Sequence, residues 1–224
     1  MRQNLCPTVL LVSVLAVTSF LFLCCGGLIA EEGSSKVSFF FPSDPEFVVL
    51  EYHYGYSSGI PPLRVSGDGT VRAYKRWASY SAAPTLEERV LIPAGTHTAQ
   101  LSFDEINELI RRLLDTGLLA FDEDLVQAQL REVRRIEREE TGIGHTTGDA
   151  GVHAIYLRLQ EIRFSPDAEP VTDYELRVLW RERDLDLDRA VELYPEITEL
   201  GRFYEAITIL RGIYTDTIQS TASE

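Results

Sequence analysis

Residues 55–75 read GYSSGIPPLRVSGDGTVRAYK, and two folds compete for them. GYSSG, Gly55 to Gly59, has the form of the G-x-S-x-G elbow, in which a sharp turn from strand into helix lifts a serine hydroxyl beside backbone N–H groups. On that reading Ser57 is a nucleophile and a helix follows it. Ile60-Pro61-Pro62 occupies the place where the helix should propagate. Consecutive prolines there remove N–H donors and clash with the preceding turn, at about 3 kcal/mol or more each. Beyond them, Leu63 and Val65 alternate into Gly67-Asp68-Gly69, and Val71 and Ala73 lead out. Asp-Gly between alternating segments signals a tight hairpin, because such a turn needs positive φ. The downstream histidines, His97, His145 and His153, have no local context that marks a general base. The stretch therefore reads as strand, loop and hairpin, with Ser57 in the loop.

The rest of the chain agrees with a sheet built by short returns. FVVLEYHY, Phe47 to Tyr54, is rich in β-branched and aromatic residues and favours a strand. A further strand pair is expected over Arg89–Ile92 and Thr96–Leu101, joined by Pro93-Ala94-Gly95. LSFDEINELIRRLLDTG is a helix: Ser102 and Glu105 make a capping box, Leu101 can staple against Ile106, and Gly117 stops it. Its apolar stripe is Ile106, Leu109, Ile110, Leu113 and Leu114. A second helix is expected after Phe121, with Val126, Leu130 and Val133 on one face and LREVRRIEREE supplying i, i+4 pairs on the other. That charged segment suits either packing at home or docking on a partner. Ile155, Leu157 and Leu159 alternate along one later strand, and Tyr174, Leu176, Val178 and Trp180 along another, so both border one core. From Pro195 a last helix is expected to face Ile197, Leu200, Tyr204 and Ile207 inward. The sum is an α+β domain, a mostly antiparallel sheet with helices packed on one face.

The first thirty residues differ in kind. Arg2 is the one charged side chain before Glu31, and the run between them is apolar with a small-residue exit at Ala30. That is the form of a secretory signal peptide. The run is also long enough for an uncleaved anchor, and Cys24 or Cys25 could carry a lipid, although Leu23 stands where a lipoprotein signal has a small residue. The expected organisation is a leader over 1–30, a flexible mature N-terminus over 31–45, one domain over 46–214 and a tail over 215–224. The three cysteines, Cys6, Cys24 and Cys25, all lie in the leader, so beyond it no disulfide is available to staple the fold. With 35 acidic against 21 basic residues the net charge is −14, which disfavours nucleic acid as a partner. Membrane contact is expected only through the leader, if it is retained or lipidated.

PLRVSGDGTV from Pro62, the helix LSFDEINELIRRLLDTGLLAF, TTGDAG ahead of a strand, and YPEITEL before the last helix occur in an order that resembles an uncharacterised family of bacterial extracytoplasmic domains. The resemblance spans most of residues 46–211. It implies export to the periplasm, envelope or exterior, a small sheet-and-helix domain and no catalytic residues to carry over; separately, no cofactor is expected. A non-catalytic interaction module, with an extracytoplasmic protein among its partners, is the expectation.

The rival is a hydrolase or metalloprotein. HTTGDAGVH places His145, Asp149 and His153 within nine residues, and imidazole and carboxylate are acceptable zinc ligands. Gly144, Gly148 and Gly151 argue against the helix that would align them. DLDLD, Asp184 to Asp188, resembles the start of a calcium loop, but Arg189 replaces the turn glycine and Pro195 the last glutamate. A solvated acidic loop is the plainer reading.

Overall fold

The computed structural model describes residues 37–55, 61–80, 85, 89–142, 151–181 and 186–222. All of them belong to one compact unit, Val37–Glu224. The leader, Ser57, His145, Asp149 and Asp184 lie outside the described residues.

The hairpin read from GDG is the centre of the sheet's growth. β2 (Val48–Tyr54), β3 (Leu63–Ser66) and β4 (Thr70–Lys75) pair antiparallel in succession, Tyr52 opposite Leu63 and Leu63 opposite Ala73. The described chain on either side of GYSSG is thus two neighbouring antiparallel strands. At the hairpin tip Gly69 has φ +89, and a Cβ there would sit 2.0 Å from the Leu101 carbonyl oxygen. Glycine is required twice over, by conformation and by space. Gly67 is held as tightly, since its Cβ would lie 2.0 Å from the Pro42 carbonyl oxygen.

β8 (Val152–Arg163) is the long central strand. β2 runs along one edge of it, Leu50 opposite Leu157, and β9 (Val171–Arg181) along the other, Leu176 opposite Leu157. Further along the β2 edge lies β1 (Ser38–Phe40), with Phe39 opposite Ile162. The segment expected to be flexible over 31–45 is therefore partly built into the sheet, and Phe41 is 1% exposed. Hydrophobic burial of Phe39 and Phe41 explains the difference, because their rings stack 6.5 Å apart.

The second strand pair forms differently from the expectation. β7 (Gly95–Gln100) pairs with β4 over its whole length, Lys75 opposite Gly95 to Thr70 opposite Gln100. The short β6 (Leu91–Ile92) instead pairs with β5 (Ser79–Tyr80) as a separate ribbon. Pairing with the longer neighbour satisfies more backbone groups than a local return over Pro93, which has no N–H to give.

One side of the sheet carries the core. Leu50, Leu63, Val65, Val71, Ile155, Leu157 and Val178 are buried there. α1 (Phe103–Asp115) covers them with the expected stripe, all five residues buried, each contributing about 1.5–3 kcal/mol. Ser102 and Glu105 form the capping box reciprocally. A 3-10 turn (Leu118–Ala120) follows Gly117, whose φ is +83. α2 (Glu123–Thr141) buries Val126 and Leu130, pairs Arg135 with Glu132 and Glu139, and is tied to β9 by Gln127 Nε2 donating to the Arg181 carbonyl at 2.9 Å. Within the charged segment Leu130 packs at home while Ile136 stays 42% exposed. α3 (Leu187–Leu193) and α4 (Thr198–Ala222) complete the layer. α4 continues eight residues past the expected domain end at 214, because Ile218 buries against Ala73 and Ile92. Phe203, Ala206 and Leu210 join Leu200 and Ile207 on its inner face, while Tyr204 is half-buried.

The opposite side of the sheet is polar. Arg64 pairs with Glu51 at 2.6 Å, and Arg64 stands directly across from Arg72. The antiparallel sheet with helices on one face follows from this division. No helix among the described residues is long and apolar enough to cross a membrane.

Candidate functional site

The site is built where β2 and β4 run out and the C-terminal half of α4 crosses them. β2 places Tyr52 on the core side, 4% exposed, and Tyr54 two residues on, 53% exposed. β8 begins with His153, opposite Tyr54 on one edge and Trp180 on the other, fully buried. The Tyr52 hydroxyl and His153 Nδ1 are hydrogen-bonded at 3.0 Å. Tyr54 lies against the imidazole at 4.5 Å between ring centres, and Phe203 meets it edge-on at 6.5 Å.

Behind Tyr52 stands an ion pair. Arg211 of α4 donates from Nη1 and Nη2 to the two carboxylate oxygens of Asp188 in α3, at 2.7 and 3.2 Å. Paired donors to one carboxylate fix orientation as well as charge. These hydrogen bonds from Arg211 hold the Asp188 carboxyl below the usual carboxylate range against the opposing effect of partial burial, with the Tyr204 hydroxyl and His153 assisting. The same pairing raises the Arg211 pKa, and the Tyr52 hydroxyl contributes. Tyr52 therefore sits between imidazole and guanidinium.

Because Asp188 titrates lower folded than unfolded, its contribution to stability is full above the ordinary aspartate value of about 4 and is lost as pH falls through the depressed folded value. Asp188→Asn is expected to melt lower than the parent at pH 7, with the gap closing in acid below the ordinary aspartate value of about 4 as the parent carboxylate protonates. Thermal unfolding under both conditions checks this. A gap of the same size at both would mean the ionised pair adds nothing.

In front of this floor opens a cleft of about 800 Å³. Tyr52, Tyr54, Tyr74, Trp77 and Tyr214 give it aromatic walls, and Lys75, Arg76 and Arg211 give it positive charge. The Arg76 guanidinium lies 5.1 Å from the centre of the Trp77 ring. Tyr214 anchors α4 to the wall by donating from its hydroxyl to the Tyr74 carbonyl at 3.3 Å, and burial pushes its pKa up. Concave, mainly aromatic surfaces with a few placed polar groups are where small molecules bind.

Of the residues singled out by motif, His153 and Asp188 contribute here. His153 is a buried core histidine bonded to tyrosine. Ser57, His145 and Asp149 lie outside the described residues. From the acidic run, Asp186 accepts from the Arg189 N–H at 2.8 Å and caps α3, while Asp188 serves Arg211. Among the described residues no group of three or more His, Cys, Asp or Glu could hold a metal ion. Motif reading missed Tyr52, Lys75, Arg76, Trp77 and Arg211. The signal available was YKRW, Tyr74 to Trp77, two adjacent cations and an exposed tryptophan ending a strand in an acidic chain.

The chain matches no protein-family model, no curated protein and no solved structure.

Proposed function

We propose that this is an exported, non-catalytic binding module, resembling the extracytoplasmic domains its motif order suggests, and that the cleft between the β4 end and α4 is where its ligand sits. The observation that carries the reading is the cleft itself: aromatic walls resting on a floor already locked by the Tyr52–His153 and Arg211–Asp188 bonds. A preorganised floor loses little freedom when a ligand arrives, which favours binding. Burial of His153 and its bond to Tyr52 support a structural role for that imidazole over the hydrolase or metal alternative. The leader, apolar between Arg2 and Glu31, supports export.

Two measurements test the proposal. A fragment screen by protein-observed NMR on the 31–224 chain is expected to perturb Trp77, Tyr214 and Arg211 amides together. Hits scattered elsewhere, or none, would remove the cleft from consideration. Mass spectrometry of protein recovered from the producing cell is expected to find an N-terminus at Glu31 outside the cytoplasm. Intact Met1 in the cytoplasmic fraction alone would end the export reading.

A further inference from the structure

The charge of the cleft runs against the charge of the chain. Acidic residues outnumber basic ones 35 to 21, yet among the described residues the lining contains Lys75, Arg76 and Arg211 and no carboxylate. Arg211 is already served by Asp188, from outside the lining. Lys75 and Arg76 have no carboxylate partner among the described residues; Arg76 has only the face of Trp77. Two cations side by side with no carboxylate partner among the described residues repel one another, and such a cleft suits an incoming anion.

Charge alone does not describe the surface. Trp77 is 71% exposed and Tyr54 53% exposed, both on the cleft wall. A bare inorganic anion would leave these faces in water, and a neutral ring would leave Lys75 and Arg76 unmatched. A ligand that answers both carries a ring with an apolar face and a negative group together. Tryptophan and tyrosine faces accept either an aromatic ring or the C–H face of a sugar, and about 800 Å³ is within the usual range for such ligands.

We infer that the cleft takes a small organic anion borne on a ring with an apolar face, its carboxylate matched by Lys75 and Arg76 and its ring laid on Trp77 and Tyr54. The inference rests on the cleft being the binding site and adds the class of ligand. Acidic sugars and aromatic carboxylates share this chemistry, and the test separates them.

Isothermal titration of the 31–224 chain would use four probes: trigalacturonate and its neutral counterpart α-1,4-galactotriose, 2-naphthoate and its neutral counterpart 2-naphthol. The expected result is that at least one acidic probe binds more tightly than about 1 mM, and at least about tenfold more tightly than its neutral partner. The acidic probe that binds names the source. Lys75→Gln combined with Arg76→Gln is expected to weaken that probe about tenfold or more while leaving the melting temperature near the parent's. Equal binding of acidic and neutral partners, unmoved by the double variant, overturns the ligand class and leaves the cleft as a binding site. No acidic probe bound, with fragments still perturbing Trp77 and Tyr214, likewise overturns the class alone. No probe bound and no fragment at the cleft overturns both.

Discussion

Gly69→Ala is expected to lower stability by about 3 kcal/mol or more, enough to leave much of the protein unfolded at ordinary temperature. Two costs add at that position. A left-handed φ of +89 is one an alanine adopts only under strain. The added Cβ would also lie 2.0 Å from the Leu101 carbonyl oxygen, a backbone atom that no side-chain rotation can clear. Nor can Leu101 retreat freely. Its N–H donates to the Gly69 carbonyl at 2.9 Å, and Gln100 Nε2 donates to the Asp68 carbonyl at 2.7 Å, so the end of β7 is pinned to the hairpin tip. Ser102, the cap of α1, is the next residue. A shift large enough to admit a methyl group would disturb the sheet edge and the start of the main core helix together. Urea unfolding followed by circular dichroism measures the effect. A midpoint within about 0.5 kcal/mol of the parent would mean that the close approach of the hairpin to Leu101 is wrong.

That same contact shows which parts of the fold were legible in sequence. GDG announced its hairpin because the turn needs positive φ and few residues supply it. Ser102 and Glu105 announced the start of α1 in the same local way, and its buried stripe follows helical spacing residue for residue. What failed was non-local. Whether β7 pairs with β6 or β4 depends on a partner twenty residues away in the chain, and periodicity along one strand does not name its neighbour. β1 was missed because three residues make too short a pattern; Phe39 and Phe41 become informative only once Ile162 is seen across from them. α3 was hidden by its acidic start, although Asp186 as a cap followed by Leu187, Ala190 and Tyr194 at helical spacing was readable. The cleft was less legible still. Tyr52, His153, Asp188 and Arg211 come from two strands and two helices, and no motif spans them. Catalytic signatures are written locally only when one turn carries the chemistry, which explains why GYSSG, HTTGDAGVH and DLDLD stood out while Tyr52 and Arg211, and the contacts that join them to His153 and Asp188, did not.

Trp180 links the core to that site, and Trp180→Ala is expected to cost about 3–5 kcal/mol, the range for emptying a large buried ring. The side chain is 1% exposed, stands opposite His153 across the β8–β9 pair, and lies 6.5 Å from the Phe203 ring. Phe203 in turn meets His153 edge-on. Emptying the Trp180 position therefore frees Phe203, a neighbour of the imidazole that bonds Tyr52, and the floor of the cleft loses its support. Trp180→Phe separates volume from polarity. Trp180 Nε1 is buried with no hydrogen-bond acceptor among the described residues, a condition that costs about 1–3 kcal/mol in the parent. Phenylalanine removes that stranded donor while keeping most of the ring, so its net loss is expected to stay below about 2 kcal/mol. Binding at the cleft, read by the same titration, should weaken in Trp180→Ala at a temperature where the variant is folded and hold in Trp180→Phe. Equal losses of stability in the two variants would show that the ring volume phenylalanine keeps does not support the core. Unchanged binding in the alanine variant would show that the cleft floor does not depend on the packing beneath His153.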